Sequence, residues 1–214
     1  MESQVRGGTR WKRFAVVMVP SVAATACIGV ALAQGALAAS FSVSGQQFKV
    51  SADSLEGDGF EQYGAVDMGS SVTKANTHPV AVSAFNTATI TNLCQSVVTP
   101  NVPFFGNVSL ILHAGTDSQK PVVASKLYID LDDLTADATF TNINIGVAAG
   151  SMTKGPGIKQ DEVNKGLANP NGFGQEADHA SLTGVKQTAW ATTAGTFKLS
   201  NLHMSVSTSG AECY

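Results

Sequence analysis

Beyond residue 40 apolar and polar residues alternate along much of the chain, and the alternation changes phase at a phrase that occurs three times. The phrase reads Ala88-Thr-Ile-Thr-Asn-Leu93, then Ala138-Thr-Phe-Thr-Asn-Ile143, then Thr196-Phe-Lys-Leu-Ser-Asn-Leu202. Residues two apart in a strand share a face. Ala138 and Phe140 have one parity, whereas Ile143, Ile145 and Val147 have the other. Phe197 and Leu199 are followed in the same way by Leu202, Met204 and Val206, and Ile90 by Leu93 and Val97. A straight strand with one buried face does not switch. One extra residue at each Asn restores a single apolar face, as a β-bulge does, and Asn tolerates left-handed backbone angles. A strand buried on both faces, or a chain turning a corner, also accommodates the switch. Asn92, Asn142 and Asn201 are therefore expected to mark bulges or corners, as architectural residues.

The remaining pattern is also that of strands. Phe41-Ser-Val-Ser and Phe48-Lys-Val-Ser-Ala flank Gly45 as a hairpin, and Gly57-Asp58-Gly59 marks a turn. Val108 to Leu112 is apolar on both faces. From Val122 to Leu134, Leu127, Ile129 and Leu131 share one face, and Tyr128, Asp130 and Asp132 the other, which is expected to meet water. Residues 150–186 are rich in Gly, Pro and Asn, with sparse apolar positions and room for one short helix near Asp161 to Leu167. They read as a long polar loop, a type of segment that is usually functional or mobile. The expected fold is all-β: a single domain of antiparallel strands in a curved sheet or sandwich with bulged strands, at most one short helix, and an N-terminal signal or transmembrane helix before it.

The N-terminus changes the picture of location. Arg6, Arg10, Lys12 and Arg13 precede an uncharged stretch, Phe14 to Ala33, and Ala36-Leu37-Ala38 offers a small-x-small cleavage site. This is the pattern of a secretory signal. If retained, about 20 apolar residues suffice to span a bilayer, leaving the rest outside. Residues 1–38 are thus read as signal or anchor, and 39–214 as an exported domain, secreted or on the outer face of the cytoplasmic membrane. After residue 38 there is no arginine, and acidic residues outnumber lysines. Phosphate recognition leans on Arg and nucleic acids need a positive field, so nucleic acid is excluded as a partner. Cys94 and Cys213, which remain after cleavage, are expected to pair in an oxidising compartment.

Catalytic patterns are sparse. No Gly-x-Ser-x-Gly pentapeptide is present. Ser71-Val-Thr-Lys74 and Ser151-Met-Thr-Lys154 match Ser-x-x-Lys but lack the accompanying motifs. Asp178-His179-Ala-Ser181 brings three triad residue types together, although triads are assembled in space and not along the chain. Ser151, Asp178, His179 and Ser181 are the catalytic candidates. The four histidines show no metal spacing, and Asp130, Asp132, Asp133 and Asp137 lack the EF-hand order. No metal site and no cofactor are expected.

Several stretches together resemble a family: the Trp11-Lys-Arg-Phe14 start before an Ala-rich export segment, Gln34-Gly35 through Phe41, Phe48-Lys-Val-Ser-Ala-Asp53-Ser-Leu-Glu-Gly57, Tyr63-Gly64 and the Phe140-Thr-Asn-Ile143 phrase. They are similar to a group of exported actinobacterial proteins of the Streptomyces type, mostly without assigned function. Some members carry the label cholesterol esterase, which implies a lipid-ester hydrolase. No catalytic residue carries over. Strand-turn-strand runs such as Lys49 to Leu55 also resemble envelope proteins that fold curved sheets around acyl chains, an analogy of fold alone. Three functions are expected in order: a non-catalytic envelope or secreted protein holding a lipid or other apolar ligand, a lipid-ester hydrolase, and a self-assembling surface protein. Oligomeric state is left open.

Overall fold

The computed structural model describes residues 46–68 and 77–214; the expected signal or anchor segment, the expected hairpin arm at Phe41 and Ser71 to Lys74 lie outside these residues. The described chain is all-β and antiparallel. Its strands are β1 (Phe48–Met68), β2 (Thr77–Thr91), β3 (Leu93–Val102), β4 (Gly106–Ala114), β5 (Val122–Thr141), β6 (Asn144–Ala148), β7 (Phe173–Thr193), β8 (Thr196–Lys198) and β9 (His203–Ser207). One short helix, α1 (Gln160–Asn164), and a 3-10 turn (Ala149–Ser151) lie between β6 and β7. Among the described residues no helix is long and apolar enough to cross a membrane.

Four long strands carry the architecture. β1 pairs with β2, β2 with β5, β5 with β7, and β7 with β1 again, so the pairings form a closed circuit rather than a two-sheet sandwich. Inside it lies a core drawn from all four strands, including Leu55, Phe60, Phe85, Leu127, Ile129, Leu131, Ala177, Ala180 and Leu182. A barrel of so few strands has a narrow interior, which accounts for the alanines on its inner face. Beyond it, β3, β4 and β9 form a smaller extension, β3 hydrogen-bonding to the start of β1.

Closing long strands around a small core demands strong coiling, and bulges supply it. Asn92, Asn142 and Asn201 have φ of 50°, 53° and 54°, and each stands between the end of one strand and the start of the next. Lys126, Gly59 and Gly184 are also left-handed but lie within strands. Core residues step by three across such a residue. Ala124 is followed by Leu127 across Lys126, Ile90 by Leu93 across Asn92, and Leu182 by Val185 across Gly184.

These residues line up across neighbouring strands in two creases. In the first, Gly184 is opposite Asp53, whose carboxylate accepts from Asn92 Nδ2 at 3.2 Å. Asn92 N–H then bonds Gly115 O, and Gly115 N–H bonds Ser200 O beside Asn201. In the second, Asn142 Nδ2 donates to Asp178 at 2.7 Å. Asp178 faces Gly59 across β7 and β1, Gly59 faces Asn86, and Asn86 faces Lys126. Gly59 is required twice over: its φ is 65°, and a Cβ there would meet Asn86 Nδ2 at 2.2 Å and Lys154 O at 2.6 Å.

The expected polar loop over 150–186 is corrected by β7, which begins at Phe173. Its inward positions include Gln175, Ala177 and Ala180, and polar or small residues in a narrow interior leave little apolar periodicity to read. Residues 149–172 form a strap over the outer face of the barrel. A second core lies beneath it: Tyr63, Val80, Val82, Ala149, Met152, Ile158 and Ala168, flanked by Tyr128 and Trp190.

Candidate functional site

The barrel interior is not completely filled. A cavity of about 230 Å³ is lined by Leu55 and Phe60 of β1, Phe85 of β2, Ile129, Leu131, Leu134, Ala136, Ala138 and Phe140 of β5, and Leu182 and Val185 of β7. Gln62, Ser83, Gln175 and Gln187 also line it. Three of these form a chain: Gln175 Nε2 donates to Gln62 Oε1 at 2.6 Å, and Gln62 Nε2 donates to Ser83 Oγ at 2.8 Å. The space is therefore apolar with one polar wall. On β5, Leu134, Ala136 and Phe140 are partly exposed and Ala138 is exposed, which places the opening along the second half of this strand. Beyond Leu131 that half has left β2 and pairs only with β7.

On the outside, carboxylates hold the strap down. Glu61 is fully buried and accepts the N–H groups of Gly155 at 2.9 Å and Gly157 at 2.7 Å. Its neighbour across the strands, Glu176, accepts from Thr153 N, Lys154 N and Asn144 Nδ2. Burial pushes Glu61 above the usual carboxylate range despite those donors. Burial acts the same way on Glu176, but its backbone and Asn144 donors outweigh it and hold the group low.

A second polar group sits deeper under the strap. Lys159 Nζ lies 3.4 Å from Asp130 and 2.9 Å from Glu162. Asp67 is buried nearby, and its Oδ2 and Glu162 Oε2 have no hydrogen-bond partner. Desolvation, followed by the charge on Asp130, pushes Asp67 up to about 7. Burial works to lower Lys159, but Asp130 and Glu162 outweigh it and keep the ammonium charged. The expectation that Asp130 faces water is thereby corrected: it is 4% exposed, because the strap covers the outer face of β5. Among the described residues no group of three or more His, Cys, Asp or Glu is placed to hold a metal ion.

The catalytic candidates do not assemble into a triad. His179 and Ser181 share the outer face of β7, opposite Asp58 and Glu56 of β1. His179 Nδ1 is 2.8 Å from Asp58, and Nε2 is 3.1 Å from Glu56. The hydrogen bond donated to Asp58, then that to Glu56, raises the histidine pKa. An imidazole bonded to a carboxylate at both nitrogens carries two protons and has no lone pair left to act as a base. Ser181 Oγ–H donates a hydrogen bond to Glu56 Oε1 at 2.7 Å. Asp178 binds Asn142 and Lys154 instead, and Ser151 is exposed at the end of the 3-10 turn. The geometry is that of a charged cross-strand patch.

Cys94 and Cys213 are joined by a disulfide, which ties the C-terminal tail to β3. Gln62, Ser83 and Gln175 escape a search for catalytic motifs. The signal for them was parity: Gln62 lies two residues after Phe60, on the inward face.

A protein-family model described as a family of unknown function, DUF6230, matches residues 44–214. No curated protein and no solved structure matches the chain.

Proposed function

The chain belongs to DUF6230, and for it we propose an exported, non-catalytic β-barrel that holds a small apolar ligand, such as part of a lipid acyl chain, among its coiled strands. The observation that carries this reading is the cavity of about 230 Å³. A dry, aliphatic cavity of about 150 Å³ already binds benzene. The Gln175–Gln62–Ser83 chain suits a ligand with one polar end. Export is supported by the basic start, the uncharged stretch and the Ala-x-Ala site, and fits a chain that closes a disulfide. The resemblance to exported actinobacterial proteins points the same way.

The test is extraction. Protein recovered from the medium without detergent should release about one apolar molecule per chain into organic solvent, one occupant of this cavity. Ala138→Trp, at the opening, should lower that yield while leaving the fold intact. A wild-type protein that releases nothing and takes up no fluorescent fatty acid would refute the reading. The lipid-ester hydrolase suggested by the cholesterol esterase label has less support, since it needs His179 to give up a carboxylate and Ser181 to release Glu56. It predicts long-chain ester turnover abolished by a serine-directed organophosphate.

A further inference from the structure

The extension built from β3, β4 and β9 differs in chemistry from the barrel. Residues 93–116 and 199–211, which make it up, contain no Asp, Glu, Lys or Arg. Leu110 is paired with Val206 and Leu112 with Met204, so these four lie on one face of the sheet. Leu110, Met204 and Val206 are exposed. At the far end, the β3–β4 turn presents Phe104, fully exposed and at φ 70°, and Phe105, 62% exposed. A turn that exposes two adjacent phenylalanines to solvent is an apolar probe without a partner among the described residues.

The place where the described chain begins bears on what that partner is. Thr99 Oγ1 donates to Gln46 Oε1 at 3.5 Å, so the chain enters the domain beside the same hairpin, at a β3 residue five positions before Phe104. The uncharged stretch Phe14 to Ala33, long enough to span a bilayer, precedes it. The intervening residues 34–45 reach about 40 Å at full extension. The chain therefore leads from a membrane-compatible stretch to a domain whose β3–β4–β9 extension carries no Asp, Glu, Lys or Arg.

We infer that the Phe104–Phe105 tip and the adjoining apolar face of β4 and β9 dock on the surface of a lipid bilayer. The inference is independent of the cavity reading: an empty barrel would leave it standing. With no lysine or arginine in the extension, binding is driven by burial of apolar side chains at the headgroup–acyl boundary. It should thus proceed on zwitterionic lipid and be insensitive to salt.

The experiment uses the full chain carrying Phe104→Trp, with wild-type emission subtracted, in phosphatidylcholine vesicles. The added tryptophan should shift to the blue and be quenched by lipids labelled in the acyl chain, whether or not the N-terminal stretch is retained. For the secreted form, F104S/F105S should weaken vesicle partition about 30-fold, from the loss of partial burial of two phenylalanines. Its melting temperature should be unchanged because both residues are solvent-exposed. Val206→Trp on β9 gives a second probe of the same face. A tryptophan that remains water-like and unquenched would overturn the proposal. So would a blue shift without vesicles that grows with protein concentration, which would assign the face to a second copy of the chain. Binding that requires anionic lipid and vanishes in salt would also overturn it.

Discussion

Asn142 stands where a left-handed backbone and a side-chain bond are both needed. Its φ is 53° and its amide bonds Asp178 at 2.7 Å. A β-branched residue loses the bond and meets the steric penalty of the left-handed region, which is about 1–2 kcal/mol by itself. Asn142→Val should therefore destabilise by ~2–3 kcal/mol in urea unfolding, whereas Asn142→Gly, which loses only the bond, should cost ~1 kcal/mol. Equal losses for the two would remove the backbone argument. Asp67 offers the other residue-scale prediction. Its folded pKa of about 7 lies above the ordinary 3.8, raised first by burial and then by Asp130, with Lys159 opposing. The folded state thus binds the proton more tightly than the unfolded chain. Stability from this group is complete below about pH 4 and is lost as pH rises toward 7. Asp67→Asn should abolish that slope and be more stable than wild type at pH 8 by ~2 kcal/mol. Parallel pH profiles for the two proteins would rule this out.

At the scale of elements, the strands coil because their left-handed residues are aligned from strand to strand. An isolated bulge bends one strand; aligned bulges bend the sheet as a unit, which a closed circuit of long strands requires. The strap of residues 149–172 depends on a different device, carboxylates accepting backbone N–H groups. Glu61→Ala removes both acceptors from Gly155 and Gly157 and leaves the donors beneath a packed surface. It should cost ~2–4 kcal/mol and speed amide exchange across residues 153–159 before the barrel strands exchange. Exchange that rises uniformly over the whole domain would show that strap and barrel open together.

At the scale of the whole molecule, the tail is bound by the Cys94–Cys213 bridge, by Cys213 N–H to Ser96 Oγ, and by Lys49 to Glu212. Reducing the bridge should lower the melting temperature by roughly 10 °C, from about 3–5 kcal/mol of chain-entropy stabilisation, with the β-sheet circular dichroism retained. An unchanged melting temperature would assign the bridge no stabilising role. The class of fold and the three positions where strands break were legible in the sequence, because strand alternation and the left-handed tolerance of Asn are local properties. The cysteine pairing was legible as well, since the two cysteines beyond residue 38 leave one intramolecular choice. The strand at Phe173–Thr193 was not legible, because the first part of its inward face carries Gln175, Ala177 and Ala180 in place of large apolar residues. Nor was the burial of Asp130, which depends on a lysine 29 residues later in the chain. Alternation says which residues share a face; only closure of β1, β2, β5 and β7 decided which face encloses a cavity and which lies under the strap. Apolar Leu110, Met204 and Val206 likewise looked like core by parity. They are exposed because no layer of the described chain packs over this part of the extension, whereas Leu112 on the same face reaches the core.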